Sequence, residues 1–242
     1  MAACHEAIEI FHISSGRLKA SVLNIGAALL DLSIELPQGL RPLILRHPMA
    51  EAYRHNPHYL GVIAGRCANR IRDGHFNIGG KDYQLDRNEH GRTHLHGGTL
   101  GFSRRLWMVE CHEPAAVELT LHSPDGDQGY PGNAKISCIY EILPNELLRI
   151  TLKATSDADT LVNLAAHAYF NLQPGTSVLD HRLAVDAAYY TSVDDDLIPD
   201  GRILTVADTA FDFRIPSRIG DRRNPVAPWL RPQSCAGRYA TA

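Results

Sequence analysis

The amino-acid sequence predicts an all-β protein with little helix, an antiparallel sandwich or barrel. Three observations lead to this fold class: apolar and polar residues alternate with a period of two in several segments, turn dipeptides separate the segments at short intervals, and helical periodicity is sparse. A chain of 242 residues can bury a sizeable core and has an ordinary length for one all-β domain. We therefore expect one all-β domain over residues 1–220 and a divergent, irregular tail over residues 221–242.

The first predicted elements are a short helix and a hairpin. Residues 49–55 follow Pro48 and are expected to form one or two helical turns, because proline is tolerated at a first helical position. Residues 76–78 and 83–85 flank Gly79-Gly80, a dipeptide that accepts positive φ at both central turn positions. These two segments are therefore predicted to pair as a tight β-hairpin.

Two longer strands are predicted further along the chain. Apolar and polar residues alternate over residues 117–122 and again over residues 148–153, which is typical of half-buried strands. Turn signals are expected to end such strands. They fall at Asp125-Gly126, 131–133 (Pro-Gly-Asn), Pro144-Asn145 and 199–201 (Pro-Asp-Gly). The tail holds three prolines and four arginines without an alternating run, so it is a poor strand and a poor helix.

The composition excludes several classes of function. With 21% charged residues and a formal net charge of −3, the chain has neither the composition of a disordered protein nor an electrostatic surface for nucleic acid. Five widely spaced cysteines without a Cys-x-x-Cys pair indicate reduced thiols. The chain begins without a signal sequence and has no long apolar run. We expect a cytoplasmic protein without a nucleic-acid or membrane partner, and its oligomeric state stays open.

Five short motifs follow one another between Tyr59 and Gly220. They are 65–71 (GRCANRI), 93–98 (THLHGG), 123–132 (SPDGDQGYPG), 166–172 (AHAYFNL) and 209–214 (TAFDFR). In this order they resemble the aldose 1-epimerases, the mutarotases that interconvert the α and β anomers of hexoses. The resemblance implies a large antiparallel β-sandwich of the galactose mutarotase-like type with a sugar cleft, an aldohexose as substrate, and no metal or organic cofactor.

The resemblance also implies roles for two histidines. His167 matches the general acid that protonates the ring oxygen of the sugar, and Tyr169 follows it on the same face if the segment is extended. His96 matches a second site histidine, which binds a hydroxyl near the ring oxygen, and a histidine can exchange a proton near neutral pH. Gly97 and Gly98 lack side chains and would let the backbone approach a ligand. A core histidine and a simple surface turn are the structural alternatives.

Asn69 and Arg70 match the pair of residues that donate hydrogen bonds to sugar hydroxyls at the cleft wall in this family. A salt bridge is the structural alternative for Arg70. The neighbouring Arg66 and Arg72 are interpreted as solvated charges at a strand edge. Two acidic segments are interpreted structurally: 123–132 as a turn that includes Asp125, Asp127 and Tyr130, and 194–199 as a capped, solvated loop.

The resemblance places the family's glutamate base beyond residue 242, on a later strand. A truncated or frameshifted reading frame and a natural short variant are both open as explanations. Two other functions also stay open. One is a non-catalytic, sugar-binding remnant of the family. The other is a metal enzyme that uses His94 and His96, since residues two apart on a strand face the same way.

Overall fold

The computed structural model describes residues 7–222 as β-strands joined by turns and short 3-10 helices. The strands are β1 (Ile10–Ser15), β2 (Leu18–Leu23), β3 (Leu29–Leu36), β4 (Gly39–Pro42), β5 (Ile63–Ala64), β6 (Arg70–Ile71), β7 (His75–Ile78), β8 (Lys81–Gln84), β9 (His94–Leu95), β10 (Met108–Glu113), β11 (Ala116–Ser123), β12 (Ala134–Leu143), β13 (Leu147–Ser156), β14 (Ala165–Ala166), β15 (Arg182–Leu183), β16 (Tyr189–Val193), β17 (Pro199–Thr205) and β18 (Ser217–Arg218). The 3-10 helices are Ala50–His55, Arg72–Gly74, Phe102–Arg104, Asp127–Gly129, Val178–Asp180 and Ile219–Arg222. The prediction of a mostly β protein is confirmed.

Two four-stranded antiparallel sheets form the main layers. One sheet has the order β1-β2-β3-β4 and the other the order β10-β11-β12-β13, so each is a meander of sequential neighbours. In β2 the buried residues Leu18, Ala20 and Val22 alternate with half-buried ones, which matches a strand with one face toward the core. The longest pairing joins β12 to β13 over ten residues of each strand.

The main hydrophobic core contains side chains from both sheets. Its buried members include residues of β2 and β3 together with residues of β11 and β12: Leu18, Ala20, Val22, Leu29, Leu32, Val117, Leu119, Leu121, Ile136, Cys138 and Tyr140. The hydroxyl of Tyr140 donates to the carbonyl oxygen of Ala27 over 2.8 Å, which satisfies a buried polar group inside this core. A smaller cluster is formed by Leu23, Ile25, Ala28, Leu30, Tyr53 and Val62.

The predicted elements occur with one exception. The hairpin β7–β8 turns at Gly79 and Gly80, which both have positive φ. Strands β11 and β13 cover the two segments in which apolar and polar residues alternate. The expected short helix occurs as a 3-10 helix at Ala50–His55. The turn predicted at residues 199–201 is wrong, because these residues begin β17. The loop between β16 and β17 lies before these residues. The Asp194 carboxylate accepts hydrogen bonds from the N–H groups of Asp196 and Ile198 in this loop, in agreement with the interpretation of a capped loop.

Short two-stranded ribbons carry the sequence motifs. Strand β5 pairs with β14, and β6 pairs with β9. Residues 61–71 therefore run between the segment that follows β9 and the segment that contains β14. This arrangement brings the motifs at 65–71, 93–98 and 166–172 together.

The chain divides into two compact units, one ending at Phe170 and the other beginning at Asn171. The first unit contains β1 to β14, and the second contains β15 to β18. Of the predicted tail at 221–242, residues 223–242 lie outside the described residues. Across residues 7–222 no helix has both the length and the apolar character needed to cross a bilayer.

Candidate active site

Backbone hydrogen bonds fix the positions of the two histidines that the sequence motifs predict. The N–H of His96 donates to the carbonyl of Asn69 over 3.0 Å, directly beyond the paired strands β6 and β9. The N–H of His167 donates to Val62, and its carbonyl accepts from Gly61. Both histidines are therefore held against the same stretch of chain, residues 61–71.

The imidazole rings of His96 and His167 contact each other. Their centroids are 5.1 Å apart, the planes are inclined by 79°, and both side chains are half-buried. The backbone N–H of Asn69 donates to Nδ1 of His96 over 3.1 Å. Because Nδ1 accepts this bond, the proton of the neutral ring lies on Nε2, which can donate to a ligand.

The electrostatic environment keeps His96 neutral. Burial is the largest cause that lowers the pKa of His96 to about 4, and the charges of His167 and Arg70 act in the same direction, while Glu89 opposes them. At physiological pH His96 is a neutral hydrogen-bond donor.

Asn69 and Arg70 lie beside His96. Arg70 forms a salt bridge, which was the sequence-based alternative to a role in sugar binding. Its Nε and one terminal nitrogen donate to the two carboxylate oxygens of Glu89, each over 2.7 Å. Its other terminal nitrogen lies 3.3 Å from Oδ1 of Asn69, whose side chain is exposed. Burial opposes ionisation of Glu89, yet hydrogen bonds from Arg70 and Thr93 lower its pKa. The guanidinium is thus oriented and its charge compensated.

Two tyrosines complete the cluster of rings. Tyr169, which the sequence singled out, packs against His167 at a centroid distance of 5.2 Å and donates its hydroxyl to the carbonyl of His58. Tyr59 was missed, because it lies outside the five motifs. Its ring centroid is 4.5 Å from that of His96 and 5.9 Å from that of His167.

His94 does not share a face with His96, which overturns the premise of the metal-site hypothesis. The backbone of His96 has a φ of +52°, so the alternation of an extended strand is interrupted there. His94 is fully buried, its Nδ1 lies 2.8 Å from the Asp86 carbonyl oxygen, and its Nε2 lies 2.8 Å from the Tyr130 hydroxyl. Within residues 7–222 no group of three or more His, Cys, Asp or Glu side chains could hold a metal ion.

Residue 97 must be glycine because the backbone of another segment of the protein packs directly against it. This differs from the expectation that Gly97 and Gly98 let the backbone approach a ligand. A Cβ atom on Gly97 would lie 1.7 Å from the carbonyl oxygen of Gly65, and one on Gly98 would meet the side chains of Gln128, Asp86 and His94. The turn after His96 is therefore packed into the protein. This packing fixes the position of the imidazole.

Arg66 is buried, so its interpretation as a solvated charge is wrong, whereas Arg72 is exposed as expected. The Arg66 guanidinium donates to the carbonyls of Ser123, Pro131 and Gly132 and to the Ser123 hydroxyl. These bonds hold the segment 123–132, in which Asp125 accepts from the backbone N–H of Gly132 and Asp127 forms a salt bridge with Arg105. The contacts agree with the structural interpretation of that segment.

The comparisons with known proteins point to one family. The sequence model of the aldose 1-epimerase family matches residues 9–231. A galactose mutarotase from Bos taurus is 36% identical over 216 residues, which cover 88% of this chain and 62% of the relative. An aldose 1-epimerase from Escherichia coli (strain K12) is 36% identical over 196 residues, which cover 80% of this chain and 56% of the relative.

Solved structures give the same result. An aldose epimerase homologue from C. elegans superposes with a TM-score of 0.85 at 32% identity, covering 89% of this chain and 67% of the other. A galactose 1-epimerase from Lactobacillus acidophilus superposes with a TM-score of 0.78 at 33% identity, covering 93% of this chain and 70% of the other. The chain spans about three fifths of the length of the curated relatives it matches, 62% for the bovine protein.

Proposed function

The chain belongs to the aldose 1-epimerase family, and we propose that it interconverts the α and β anomers of an aldohexose by acid–base ring opening and closure. A base removes the proton of the C1 hydroxyl, the bond from C1 to the ring oxygen breaks as the C1 carbonyl forms, and an acid protonates the ring oxygen. Rotation about C1–C2 and reclosure return both protons and give the other anomer. General acid–base catalysis of this kind contributes about 10²–10⁴-fold.

The observation that carries the proposal is the contact between the two imidazoles, at a centroid distance of 5.1 Å. His167 is the proposed acid, which gives its proton to the ring oxygen. His96 is the proposed neutral donor, whose Nε2–H binds an oxygen next to the reacting bond, since its Nδ1 is occupied by the N–H of Asn69. One ring thus transfers a proton while the other holds the sugar in place.

Three further side chains are proposed to bind the sugar. The exposed amide of Asn69 offers a donor and an acceptor, and Arg70 is oriented by the bidentate salt bridge with Glu89. Tyr169 is exposed beside His167 and presents a ring surface. We also propose that the sugar is a neutral hexose and that the protein acts in the cytoplasm, because the net charge is near zero and the cysteines indicate reduced thiols.

Glu89 is a poor proton acceptor for the C1 hydroxyl, although it lies among these groups. Both of its oxygens accept from Arg70, and one also accepts from the Thr93 hydroxyl over 2.6 Å. These bonds stabilise the ionised form, so the carboxylate has little tendency to take a proton. We therefore assign Glu89 the role of orienting Arg70 and not that of the base. The glutamate that the family resemblance implies as the base lies outside residues 1–242.

The first prediction tests the acid. His167→Gln removes the transferable proton while keeping a polar side chain, and we expect the rate of mutarotation to fall at least about 10²-fold. His122→Gln is the matched control, because His122 is an exposed histidine on β11, and its rate should equal that of the wild type. Polarimetry of α-glucose and α-galactose measures the rates, and circular dichroism checks the folding of each variant.

Two results would contradict the proposal at different points. A wild-type protein that does not accelerate mutarotation above the spontaneous rate would refute the proposed function. A wild-type protein that is active, combined with an equally active His167→Gln variant, would refute only the assignment of the acid.

A further inference from the structure

Tyr59 is the aromatic side chain that contacts both histidines of the site. Its centroid lies 4.5 Å from His96, with the planes inclined by 52°, and 5.9 Å from His167, with an inclination of 34°. Among residues 7–222, Tyr169 has a ring contact with His167 but none with His96. Tyr59 therefore covers the imidazole of His96 more closely than that of His167.

The turn that carries Tyr59 is held rigidly. Tyr59 has a φ of +55°, a left-handed conformation that costs a residue other than glycine about 1–2 kcal/mol. The buried side chain of Asn56 closes the turn, since its oxygen accepts from the N–H of Leu60 and its nitrogen donates to the carbonyl of Leu60, each over 3.0 Å. The next residue, Gly61, donates its N–H to His167. A strained residue fixed by its neighbours in this way is typical of functional sites.

The two paired imidazoles cannot both be positively charged, each with both ring nitrogens protonated, without repelling each other. Ring opening needs the proton on His167, the proposed acid, and a neutral ring at His96. Exclusion of water from one ring disfavours its charged form. Tyr59 lies 1.4 Å closer to the centroid of His96 than to that of His167, so the exclusion of water by its ring acts more strongly on His96.

We propose that Tyr59 is a positioning residue that keeps His96 neutral and so leaves the proton of the histidine pair to His167. This role rests on the proposed function, because it matters only if His167 acts as an acid. Burial is the largest cause of the low pKa of His96, which agrees with a ring that excludes water. Among the described residues the Tyr59 hydroxyl has no hydrogen-bond partner, so the contacts with the histidines come from the ring.

The test compares two substitutions of Tyr59 with a matched control. Tyr59→Phe keeps the ring and removes the hydroxyl, whereas Tyr59→Ala removes both. Tyr83→Ala is the control, because Tyr83 stacks on Phe76 in the β7–β8 hairpin and has no ring contact with either histidine. NMR titration of the imidazole resonances, without substrate, reports the protonation of each histidine, and polarimetry gives kcat and KM.

We expect Tyr59→Ala to move the titration of His96 from about 4 toward the ordinary value of about 6.5. In that variant kcat should fall at least about 10-fold while KM changes less than about 3-fold, because orientation and protonation are lost but the sugar contacts remain. Tyr59→Phe and Tyr83→Ala should keep the titration of His96 and the kcat of the wild type. If Tyr59→Ala does not fold, Tyr59→Gly, which accepts the φ of +55° without strain, is expected to show the same direction of change.

An unchanged titration of His96 in Tyr59→Ala or Tyr59→Gly would overturn the proposal. A loss of kcat in Tyr59→Phe as large as that in Tyr59→Ala would also overturn it, because the hydroxyl and not the ring would then be responsible. The titration requires no turnover. A protein without mutarotase activity would refute the proposed function, while the effect of Tyr59 on His96 would still be measured.

Discussion

At the residue scale, the protonation state of His96 is set by neighbours that the folded chain brings to it. The motif at 93–98 drew attention to this histidine, because it stands next to two glycines in a recognisable phrase. Its protonation state depends on contacts with Asn69, Tyr59 and His167, which are distant in sequence. Local sequence contains no information about such burial, so the lowered pKa of His96 could not be predicted from the motif.

A second prediction follows from the low pKa of His96. In the unfolded chain this histidine takes up a proton near pH 6.5, whereas in the folded protein it does so only near pH 4. Between these values the unfolded state binds more protons, so the free energy of unfolding falls as the pH decreases. His96→Gln removes this contribution, and the stability advantage of the wild type over the variant should shrink from pH 7 to pH 4.

Urea unfolding of both proteins at several pH values measures that difference. The other titrating groups are shared by the two proteins and largely cancel. A difference that is constant with pH would show that His96 has the same pKa in the folded and unfolded states, and one that grows as the pH falls would show that folding raises this pKa; either result would contradict the prediction.

Arg66 shows the same limit of local sequence. Its two neighbours in the motif, Gly65 and Cys67, do not reveal that the guanidinium reaches carbonyls more than 50 residues away, at Ser123 and Pro131. Five donors in a fixed fork suit a set of backbone carbonyls better than the single ammonium of lysine does. A buried arginine at this position is therefore structural.

The third prediction concerns this arginine. Arg66→Met keeps the length of the side chain but leaves several buried carbonyls without a donor, and we expect a loss of about 3–5 kcal/mol in the free energy of unfolding. Arg72→Met, at an exposed position, should change stability by no more than about 0.5 kcal/mol. Chemical denaturation measures both. Equal, small effects in the two variants would contradict the structural role of Arg66.

At the element scale, local signals were sufficient for the regular strands and failed where the backbone conformation is unusual. Alternation predicted β11 and β13, and the Gly79-Gly80 dipeptide predicted the turn of the β7–β8 hairpin. The period-two rule, by which residues two apart face the same way, failed for His94 and His96. The backbone of His96 is left-handed and not extended, so its side chain does not lie on the face that the rule predicts. Period-two reasoning holds only while the backbone remains extended.

The fourth prediction concerns the turn that follows β9. Gly97 and Gly80 have similar φ values, +85° and +80°, but a Cβ atom meets the Gly65 carbonyl at 1.7 Å in the first case and nothing within 4 Å in the second. Gly80→Ala should therefore cost only the conformational penalty of about 1–2 kcal/mol. Gly97→Ala should cost about 1–3 kcal/mol more and displace His96, so that activity falls as well.

Thermal unfolding and polarimetry of the two variants test this difference. A Gly97→Ala variant as stable and active as Gly80→Ala would show that the turn can move away from Gly65 without affecting the site.

At the scale of the whole molecule, the sandwich brings motifs from distant parts of the first unit to one place. The sequence predicted the class of fold, but not the order of strands within the two sheets, because pairing depends on contacts between distant segments. The prediction of an aldohexose as substrate came from the resemblance of the motifs to the aldose 1-epimerases. The structure adds that Arg70, the guanidinium beside His96, is paired with Glu89.

The last prediction follows from this balance of charge. An uncharged sugar experiences no long-range Coulomb attraction, so salt has little to screen when it approaches a protein with a formal net charge of −3. We expect kcat/KM for glucose or galactose to change less than about 2-fold between roughly 0.01 M and 0.5 M salt. Glu89→Gln leaves the Arg70 charge uncompensated and should increase inhibition by a hexose phosphate at low salt, while the hexose reaction itself stays insensitive to salt. A kcat/KM that is higher for a hexose phosphate than for glucose or galactose, and that falls steeply with salt, would instead show that the substrate is an anion bound by Arg70, and the neutral hexose would have to be abandoned.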